Sequence, residues 1–205
     1  MNNKKLYLII KRFFDILLSL IGLIVLSPLF LIIAIIIKLD SKGPVFFRHK
    51  RIGKNGKMIG VYKFRSMVIN AEELIKKFTP EQKAEYEKNF KLDNDPRITK
   101  IGKILRKTSL DELPQLINIL IGNMSIVGPR PIVTGEIDKY GDQKDKFLSM
   151  TPGLTGYWQA SGRSDVEYDE RIKMELYYID HCSLWLDIKI IFKTFFAVIK
   201  RKGAK

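Results

Sequence analysis

The sequence predicts an α/β fold that is mostly helical, with a re-entrant membrane helix-break-helix, a small β-hairpin and amphipathic interfacial helices. Three patterns predict it: an uncharged run over residues 16–37, two β-favouring runs around a glycine turn, and a last helix with one apolar face. The chain has 205 residues, enough for one domain beyond the membrane segment. We therefore expect residues 1–40 to form a basic flank and the membrane helix, and residues 41–205 to form a separate domain that ends in an interfacial helix.

The first element is the run over residues 16–37, which has 22 residues and no charged side chain. At about 1.5 Å per residue it would reach roughly 33 Å, enough to cross a hydrocarbon core of about 30 Å. Ser27 and Pro28 interrupt it, because proline kinks a helix and the serine hydroxyl can bond a freed carbonyl. Basic residues flank both ends, and short positive flanks favour the cytoplasmic side. We expect a helix that enters one leaflet and returns; a plain transmembrane anchor with an incidental proline is the alternative.

The charge of the chain is concentrated next to this run. The formal net charge is +14, and residues 1–63 hold 12 of the 36 basic residues but only 2 of the 22 acidic ones. Such an excess fits attraction to anionic lipid or to an acidic substrate. Nucleic acid would also accept the charge, but no nucleic-acid motif is recognisable, so no nucleic-acid partner is expected. The apolar run is too long for a signal peptide and no small-residue cleavage site follows it.

Cysteine and histidine usage excludes two classes of site. Cys182 is the only cysteine, so an intrachain disulfide is impossible and a reducing compartment is indicated. His49 and His181 lie far apart without a cluster of cysteine and histidine, so a zinc site is not expected.

Two further elements precede the centre of the chain. Residues 45–47 and 59–62 favour β-strands, and the glycine-rich residues 53–57 between them predict the turn of a hairpin. Residues 71–91 are rich in glutamate and lysine. They predict an exposed, peripheral helix or helix pair, interrupted near Thr79 and Pro80.

Residues 98–120 carry the central signal, with apolar residues at helical spacing. Ser109 is followed three residues later by Glu112, which is the pattern of a capping box and predicts a second helix from Ser109 to Gly122. Asp111 and Glu112 would then lie in a first turn, where the helix dipole and free N–H groups lower the pKa of a carboxylate. Helix capping alone would explain the pair.

The surroundings of the two carboxylates favour a chemical role. Adjacent carboxylates are typical of Mg²⁺ sites in which substrate phosphates supply the other ligands, and arginine forks suit phosphate oxygens. Seven basic residues accompany the pair in sequence: Lys63, Arg65, Arg97, Lys103, Arg106, Lys107 and Arg130. Beside a membrane segment, this combination indicates phosphoryl transfer to a phosphate-bearing lipid.

The last third of the chain adds a turn, a loop region and two helices. Residues 128–131 form a stiff turn that presents Arg130, residues 151–158 and 161–163 are predicted loops, and residues 167–180 have helical spacing. The last helix carries an apolar face of Leu184, Ile188, Ile191, Phe192, Phe195 and Ile199, with Asp187, Lys189, Lys193 and Lys200 elsewhere. Such a helix can lie in a membrane interface, although a core-packing amphipathic helix shows the same pattern.

Six ordered motifs between Lys11 and Lys202 together resemble one family, the bacterial sugar transferases, also called monotopic phosphoglycosyl transferases. They are KRFFD at 11–15, SP at 27–28, YKFRSM at 62–67, LR at 105–106 with SLDELPQL at 109–116, GPRP at 128–131, and PGLTG at 152–156. Because ten residues precede the first motif, the chain resembles the small, single-domain form. Residues 71–91 contain no motif of the family.

The resemblance implies a reaction. A UDP-sugar gives its sugar-1-phosphate to polyprenol (undecaprenyl) phosphate, with release of UMP, through a covalent phosphosugar on an aspartate. This would be the first membrane step of polysaccharide or glycoconjugate biosynthesis, in a catalytic domain on the cytoplasmic face of the bacterial inner membrane. The sugar and the oligomeric state stay open, with a homo-oligomer among the possibilities. The alternative is a membrane-anchored basic binding protein for acidic lipid or nucleic acid.

The resemblance also implies roles for single residues. Asp111 would be the nucleophile, and Glu112 would bind Mg²⁺ with it or shape the carboxylate. The substrate-binding residues would be Lys63, Arg106 and Arg130, with Glu175 as a weaker candidate because some relatives have aspartate there. Asp15 in the first motif is expected to be a structural partner of Lys11 or Arg12.

Overall fold

A computed structural model describes residues 3–89, 92, 95–161 and 166–199. Ten helices are found there: α1 (Asn3–Val25), α2 (Ser27–Asp40), α3 (Ala71–Ile75), α4 (Pro80–Asn89), α5 (Lys100–Thr108), α6 (Gln115–Ile121), α7 (Lys144–Leu148), α8 (Tyr157–Ser161), α9 (Tyr168–His181) and α10 (Leu184–Ile199). The strands are β1 (Phe46–Ile52), β2 (Met58–Phe64), β3 (Ser125–Val127) and β4 (Gly153–Thr155), and 3-10 helices cover Lys54–Gly56, Leu110–Glu112 and Thr134–Gln143. The mostly helical fold and the antiparallel hairpin of β1 and β2 confirm the prediction. β3 and β4 form a second, parallel pair.

α1 and α2 meet at the predicted break. Their axes differ in direction by 60°. Pro28 lies in the first turn of α2, and the Ser27 hydroxyl donates to the carbonyl of Ile24 at 2.8 Å. Among the described residues, no single helix is long and apolar enough to cross a membrane, and this bent pair passes only by length and composition. The break at Ser27 and Pro28 is therefore a property of the fold.

The polar side chains of α1 are directed at the rest of the protein. The Lys11 ammonium lies 2.9 Å from the Asp187 carboxylate, and Arg12 donates to the carbonyls of Ile119 and Leu120 at the end of α6. Asp15 accepts a hydrogen bond from the Ile126 N–H at 2.9 Å. Asp15 is thus a structural residue, as expected, but its hydrogen bond is made to β3, and Lys11 and Arg12 act on it only through their charge, without an ion pair among the described residues. Its short carboxylate reaches only the adjacent strand β3, whereas the two longer cations extend to α10 and α6.

α2 packs against the hairpin and against α5. Ile33, Ile37, Phe64 and Leu105 form a buried cluster, and Leu110 and Leu113 pack against it. Arg65, the residue after β2, donates to the carbonyl of Ser41 at 2.7 Å and to the carbonyls of Ile37 and Lys42. It therefore caps the C-terminal end of α2. Arg65 is therefore a structural residue and not one of the cations around Asp111.

The predicted helix start at Ser109 is wrong. Ser109 has φ 59° and ψ 15°, a left-handed conformation that ends α5, whereas a capping residue needs an extended backbone. Residues Leu110–Glu112 then form a separate 3-10 turn, and α6 starts only at Gln115, after Pro114. Gly122, at φ 94°, ends α6 as predicted.

Glycines allow the backbones of the GPRP motif at 128–131 and the PGLTG motif at 152–156 to come into close contact. A Cβ on Gly128 would lie 2.4 Å from the Thr151 carbonyl oxygen, and one on Gly153 would lie 2.1 Å from the Gly128 nitrogen. The turn that carries Arg130 is therefore held against β4 by backbone contacts that no larger residue permits. The predicted loop over residues 151–158 in fact contains β4 and the start of α8, while Gly162 and Arg163 lie outside the described residues.

The charged segment forms the predicted helix pair, α3 and α4, as far as it is described; Lys91 lies outside the described residues. Arg97 attaches it to the body of the protein. Its guanidinium forms an ion pair with Asp95 at 2.6 Å and lies 5.2 Å from the Phe78 ring and 5.0 Å from the Tyr86 ring. Arg97, like Arg65, is thus occupied by structural contacts.

α9 confirms the helix predicted over 167–180, and α10 has one packed and one exposed side. Ile190 is 1% exposed and Asp187 is buried, whereas Ile188, Ile191, Phe192 and Phe195 are exposed. Leu184 is half-buried, and the side chains of Ile199 and Lys200 lie outside the described residues. Most of the predicted apolar face is therefore turned away from the protein core.

Candidate active site

The catalytic candidates lie on the 3-10 turn between α5 and α6. The left-handed backbone of Ser109 ends α5, so Leu110–Glu112 form a turn that continues neither α5 nor α6. Leu110 and Leu113 pack this turn against the α2 cluster. Asp111 is 7% exposed, while Glu112 is half-buried. The two adjacent carboxylates therefore have different environments.

Two predicted cations lie beside this turn. The Lys63 ammonium contacts Glu112 Oε1 at 2.5 Å, and Arg106 donates from Nε to the Ser66 hydroxyl at 2.8 Å. Gly102 makes the second contact possible, because a Cβ there would lie 2.0 Å from the Ser66 carbonyl oxygen. The close approach of α5 to the end of the hairpin thus places Arg106 next to Asp111.

The pKa values of the two carboxylates diverge. The pKa of Asp111 is raised to about 6, chiefly by burial and also by the charge of Glu112, against the opposing charges of Lys63 and Arg106. Burial also acts to raise the pKa of Glu112, but Lys63 and then Arg130 and Arg51 outweigh it and leave that pKa below its usual value. The prediction of a lowered pKa at Asp111 is wrong, since the residue is buried in a turn and not exposed in a helix's first turn. At neutral pH Asp111 is still mostly ionised.

Arg130 is the third predicted cation near the two carboxylates, and Glu175 holds its backbone by a hydrogen bond. Glu175 is 3% exposed; its Oε1 accepts from the Arg130 N–H at 2.9 Å and from the Trp158 indole N–H at 3.0 Å, and its Oε2 accepts from the Tyr140 hydroxyl. The Trp158 ring lies 6.0 Å from the Arg130 guanidinium. The structure brings Lys63, Arg106, Asp111, Glu112 and Arg130 together, and it places Glu175 under the backbone of Arg130.

The sequence reasoning missed two members of the site, His49 and Arg51 on β1. Arg51 Nη2 lies 3.3 Å from His49 Nδ1, and the charges of Arg130 and Glu112 both act on Arg51. A signal was present: alternate residues of a strand share a face, and the pairing of Phe47 with Lys63 puts Lys63 on that same face. The basic residues of β1 were interpreted only as a membrane flank.

The donor set can be compared with the needs of a metal ion. Within the described ranges, no group of three or more His, Cys, Asp or Glu side chains could hold a metal alone. Mg²⁺ commonly binds through one or two carboxylates and takes its other ligands from phosphates and water. Asp111 and Glu112 fit that requirement.

Comparison with known proteins gives a consistent result. A family model described as bacterial sugar transferase matches residues 6–201. An undecaprenyl-phosphate galactose phosphotransferase of Salmonella typhimurium is 50% identical over 198 residues, covering 95% of this chain and 41% of the relative. A UDP-glucose:undecaprenyl-phosphate glucose-1-phosphate transferase of Escherichia coli is 40% identical over 205 residues, covering 96% of this chain and 41% of the relative.

A shorter relative matches over most of its length. The exopolysaccharide production protein ExoY of Rhizobium meliloti is 45% identical over 197 residues, covering 95% of this chain and 87% of the relative. The chain therefore spans less than half of the two longer relatives and nearly all of this one.

Proposed function

This chain belongs to the bacterial sugar transferase family, and we propose that it moves a sugar-1-phosphate from a UDP-sugar to polyprenol (undecaprenyl) phosphate and releases UMP. One observation supports this most: a buried, ionisable Asp111 lies beside Glu112 among Lys63, Arg106 and Arg130. The activities named for the Salmonella and Escherichia relatives fit the proposal. Production of exopolysaccharide or another glycoconjugate is the process in which such a step belongs.

The reaction proceeds by two displacements at one phosphorus atom. An Asp111 carboxylate oxygen attacks the phosphorus that bears the sugar; the O–P bond forms as the bond to the UMP oxygen breaks, and UMP leaves with that electron pair. A phosphate oxygen of the polyprenol phosphate then attacks the same phosphorus, and the Asp111 carboxylate is released. Covalent catalysis thus separates a soluble and a lipid-bound substrate into two steps.

The residues around Asp111 bind the phosphates and position the reacting groups. Lys63 holds Glu112 in place, and Arg106 and Arg130 neutralise phosphate charge. When bound, Mg²⁺ would neutralise the diphosphate further, and Asp111 and Glu112 are the residues that would hold it. Glu175 acts as a positioning residue, because it fixes the backbone from which Arg130 extends.

The reaction requires that the lipid phosphate reach Asp111, and we place the site at the cytoplasmic face of the bacterial inner membrane. α1 and α2 enter one leaflet, and α10 lies in the interface with its exposed face down. Two observations support this. α2 and α10 expose large apolar side chains, namely Leu31, Ile32, Ile35, Leu39, Trp185, Ile188, Ile191, Phe192, Phe195 and Phe196. The turn that carries Asp111 packs directly on α2.

Replacement of Asp111 by Asn tests the mechanism. Wild-type protein mixed with UDP-sugar alone should release about one UMP per active site and gain the mass of a sugar phosphate on Asp111, because the first displacement needs no acceptor. Asp111→Asn should show neither, with turnover reduced by several orders of magnitude. Quenched mass spectrometry and a UMP assay across a panel of UDP-sugars give the two readouts.

Asp180→Asn is the matched control, since it removes a partly exposed carboxylate paired with Lys146 at the surface. It should keep wild-type activity. Full turnover by Asp111→Asn would refute the covalent mechanism. Salt-sensitive binding to anionic lipid or nucleic acid, with no UMP released from any UDP-sugar, would instead support the basic binding protein.

A further inference from the structure

In the hydrogen bond between His49 and Arg51, the donor and the acceptor can be assigned. A guanidinium only donates hydrogen bonds, so the His49 Nδ1 that lies 3.3 Å from Arg51 Nη2 must be the acceptor. The ring is then neutral and carries its proton on Nε2. His49 therefore restrains Arg51 as an uncharged acceptor, which leaves the full positive charge of the guanidinium available.

The surroundings keep the imidazole neutral. Burial and then the charges of Arg51, Lys63, Arg130 and Arg106 together lower the pKa of His49 to about 4. Four cations on different elements thus act on one imidazole. His49 lies inside the cationic group of the active site and keeps its acceptor nitrogen throughout the physiological pH range.

Arg51 and Arg130 are held near each other by the backbone. The Ile52 N–H donates to the Ile132 carbonyl at 2.8 Å, so the residue after Arg51 is bridged to a residue two positions after Arg130, at the end of the turn at 128–131. The proximity has an electrostatic cost: burial first and the charge of Arg130 second lower the pKa of Arg51 to about 10. The fold therefore keeps two like charges together.

Among the described residues, no direct ion pair neutralises either of these arginines. Across the described ranges, no carboxylate oxygen lies within 4.0 Å of the Arg51 or Arg130 guanidinium. Lys63 and Arg97, by contrast, each have such a partner. Glu136 and Glu112 act on Arg51 only through their charge, without a direct ion pair. Two neighbouring guanidinium groups whose N–H forks are not paired with a described carboxylate suit a phosphate, whose oxygens accept paired N–H bonds from each fork.

We propose that Arg51, positioned by His49, forms with Arg130 a second phosphate-binding pair of the active site, supplied by elements other than those that carry Lys63 and Arg106. The inference rests on the transferase function proposed above. The ligand is a phosphate group, and it has two sources: the nucleotide phosphate of the donor and the phosphomonoester of the lipid acceptor. Arg51 contacts the substrate, whereas His49 acts through Arg51.

The test measures each half-reaction separately, in detergent, with the single variants Arg51→Gln, His49→Leu, His49→Gln and Lys50→Gln and with the double variant that combines His49→Leu and Arg51→Gln. Arg51→Gln should raise the KM of one substrate about 10- to 100-fold, because a charge-assisted contact is lost. A rise for UDP-sugar in the UMP-release step, with weaker binding of UMP by calorimetry, would identify the nucleotide phosphate. A rise for polyprenol phosphate alone would identify the acceptor.

His49 is tested through its effect on Arg51. His49→Leu should raise the same KM about three- to tenfold, while His49→Gln, whose amide oxygen can also accept from Arg51, should stay within about threefold of wild type. In the double variant, His49→Leu should add nothing to Arg51→Gln. Lys50→Gln is the control, since it removes the same charge from the exposed, opposite face of β1, and it should keep both KM values.

Specific results would overturn the inference. An Arg51→Gln protein with a wild-type unfolding midpoint and both KM values within twofold of wild type would remove Arg51 from the site. Additive effects of His49→Leu and Arg51→Gln on the KM would show that His49 does not act through Arg51.

If Arg51→Gln fails to fold, Arg51→Lys is the substitute, because it keeps the charge but loses the guanidinium fork. It should show the same KM effect. If wild type itself releases no UMP, the proposed function fails, and only UMP affinities of the wild type and Arg51→Gln decide on the phosphate pair.

Discussion

At Asp111 the needs of catalysis and of stability oppose each other. A nucleophilic carboxylate gains reactivity when it is removed from water, but burial of the charged form costs free energy. The structure shows this cost as a pKa raised from 3.8 to about 6, mainly by burial. Lys63 and Arg106 offset only part of the cost. Asp111 therefore belongs to the residues that a fold retains for function at the expense of stability.

This opposition predicts that Asp111→Asn stabilises the protein. A shift of about two pKa units corresponds to about 3 kcal/mol, so the variant should gain about 1–3 kcal/mol in free energy of unfolding. The penalty is full above pH 6, decreases as the pH falls below the folded pKa, and disappears towards pH 4, where both folded and unfolded states bind the proton. Unfolding in detergent with EDTA, at pH 8 and at pH 5, measures it.

The same experiment can contradict the argument. A gain that is equal at both pH values, or a loss of stability at pH 8, would show that the burial of charge at Asp111 is not the cause. Glu112→Gln provides the comparison, because the cations hold the pKa of Glu112 below its usual value. That variant should lose stability at pH 8.

At the scale of elements, the site depends on how closely α5 approaches the end of β2. Thr99 caps α5 by accepting from the Gly102 N–H at 2.9 Å, and its own N–H donates to the Ser66 carbonyl at 3.1 Å. The absence of a side chain at Gly102 allows this contact. One turn further along, Arg106 reaches the Ser66 hydroxyl. The position of one cation is thus set by a glycine four residues earlier.

Gly102→Ala should therefore damage both stability and catalysis. Alanine favours a helix over glycine by about 1 kcal/mol, but its Cβ would lie 2.0 Å from the Ser66 carbonyl oxygen, so α5 must move. We expect a net loss of about 1–3 kcal/mol in free energy of unfolding, and UMP release at least tenfold slower because Arg106 moves with the helix. Thermal unfolding and the donor half-reaction are the measurements.

Gly135→Ala is the matched control, because a Cβ at Gly135 has no heavy atom within 4 Å. It should leave unfolding and UMP release close to wild type. Equal behaviour of the two alanine variants would mean that the contact between α5 and Ser66 does not position Arg106.

At the scale of the whole molecule, the first and last described helices are joined by buried polar contacts. The Asp187 carboxylate of α10 accepts from Lys11 at 2.9 Å and from Tyr7 at 3.0 Å, both on α1, and from Tyr178 of α9 at 2.7 Å. A buried charge requires such partners. The proposed membrane helix and the proposed interfacial helix are therefore fixed to each other, and both must meet the bilayer in one orientation.

This arrangement predicts that both ends of the bent pair stay on the cytoplasmic side. Single cysteines placed at Asn3 and at Lys42, in a Cys182→Ser background, should both resist a membrane-impermeant maleimide in intact spheroplasts. Both should react after lysis, because a re-entrant helix returns its basic flanks to the side of entry. Labelling of only one of the two sites in intact spheroplasts would instead support a transmembrane anchor.

Local patterns in the sequence were sufficient to predict the elements that depend on interactions between residues near each other in the chain. The break at Ser27 and Pro28, the hairpin, the helix pair over residues 71–91 and the helix over 167–180 follow from proline, turn residues and periodicity. The residues Lys63, Arg106, Asp111, Glu112 and Arg130 could be selected by chemistry and by the resemblance of six motifs. Each of these signals lies within a few neighbouring residues.

Only the tertiary structure decided how those residues act. The left-handed backbone of Ser109 converted an expected capping box into a separate turn, because packing of Leu110 and Leu113 on α2 outweighs the local preference for a helix start. Burial reversed the expected direction of the pKa of Asp111, assigned Arg65 and Arg97 to structural contacts, and added Arg51 and His49 to the site. Burial and charge proximity depend on residues distant in sequence, and no local pattern contains them.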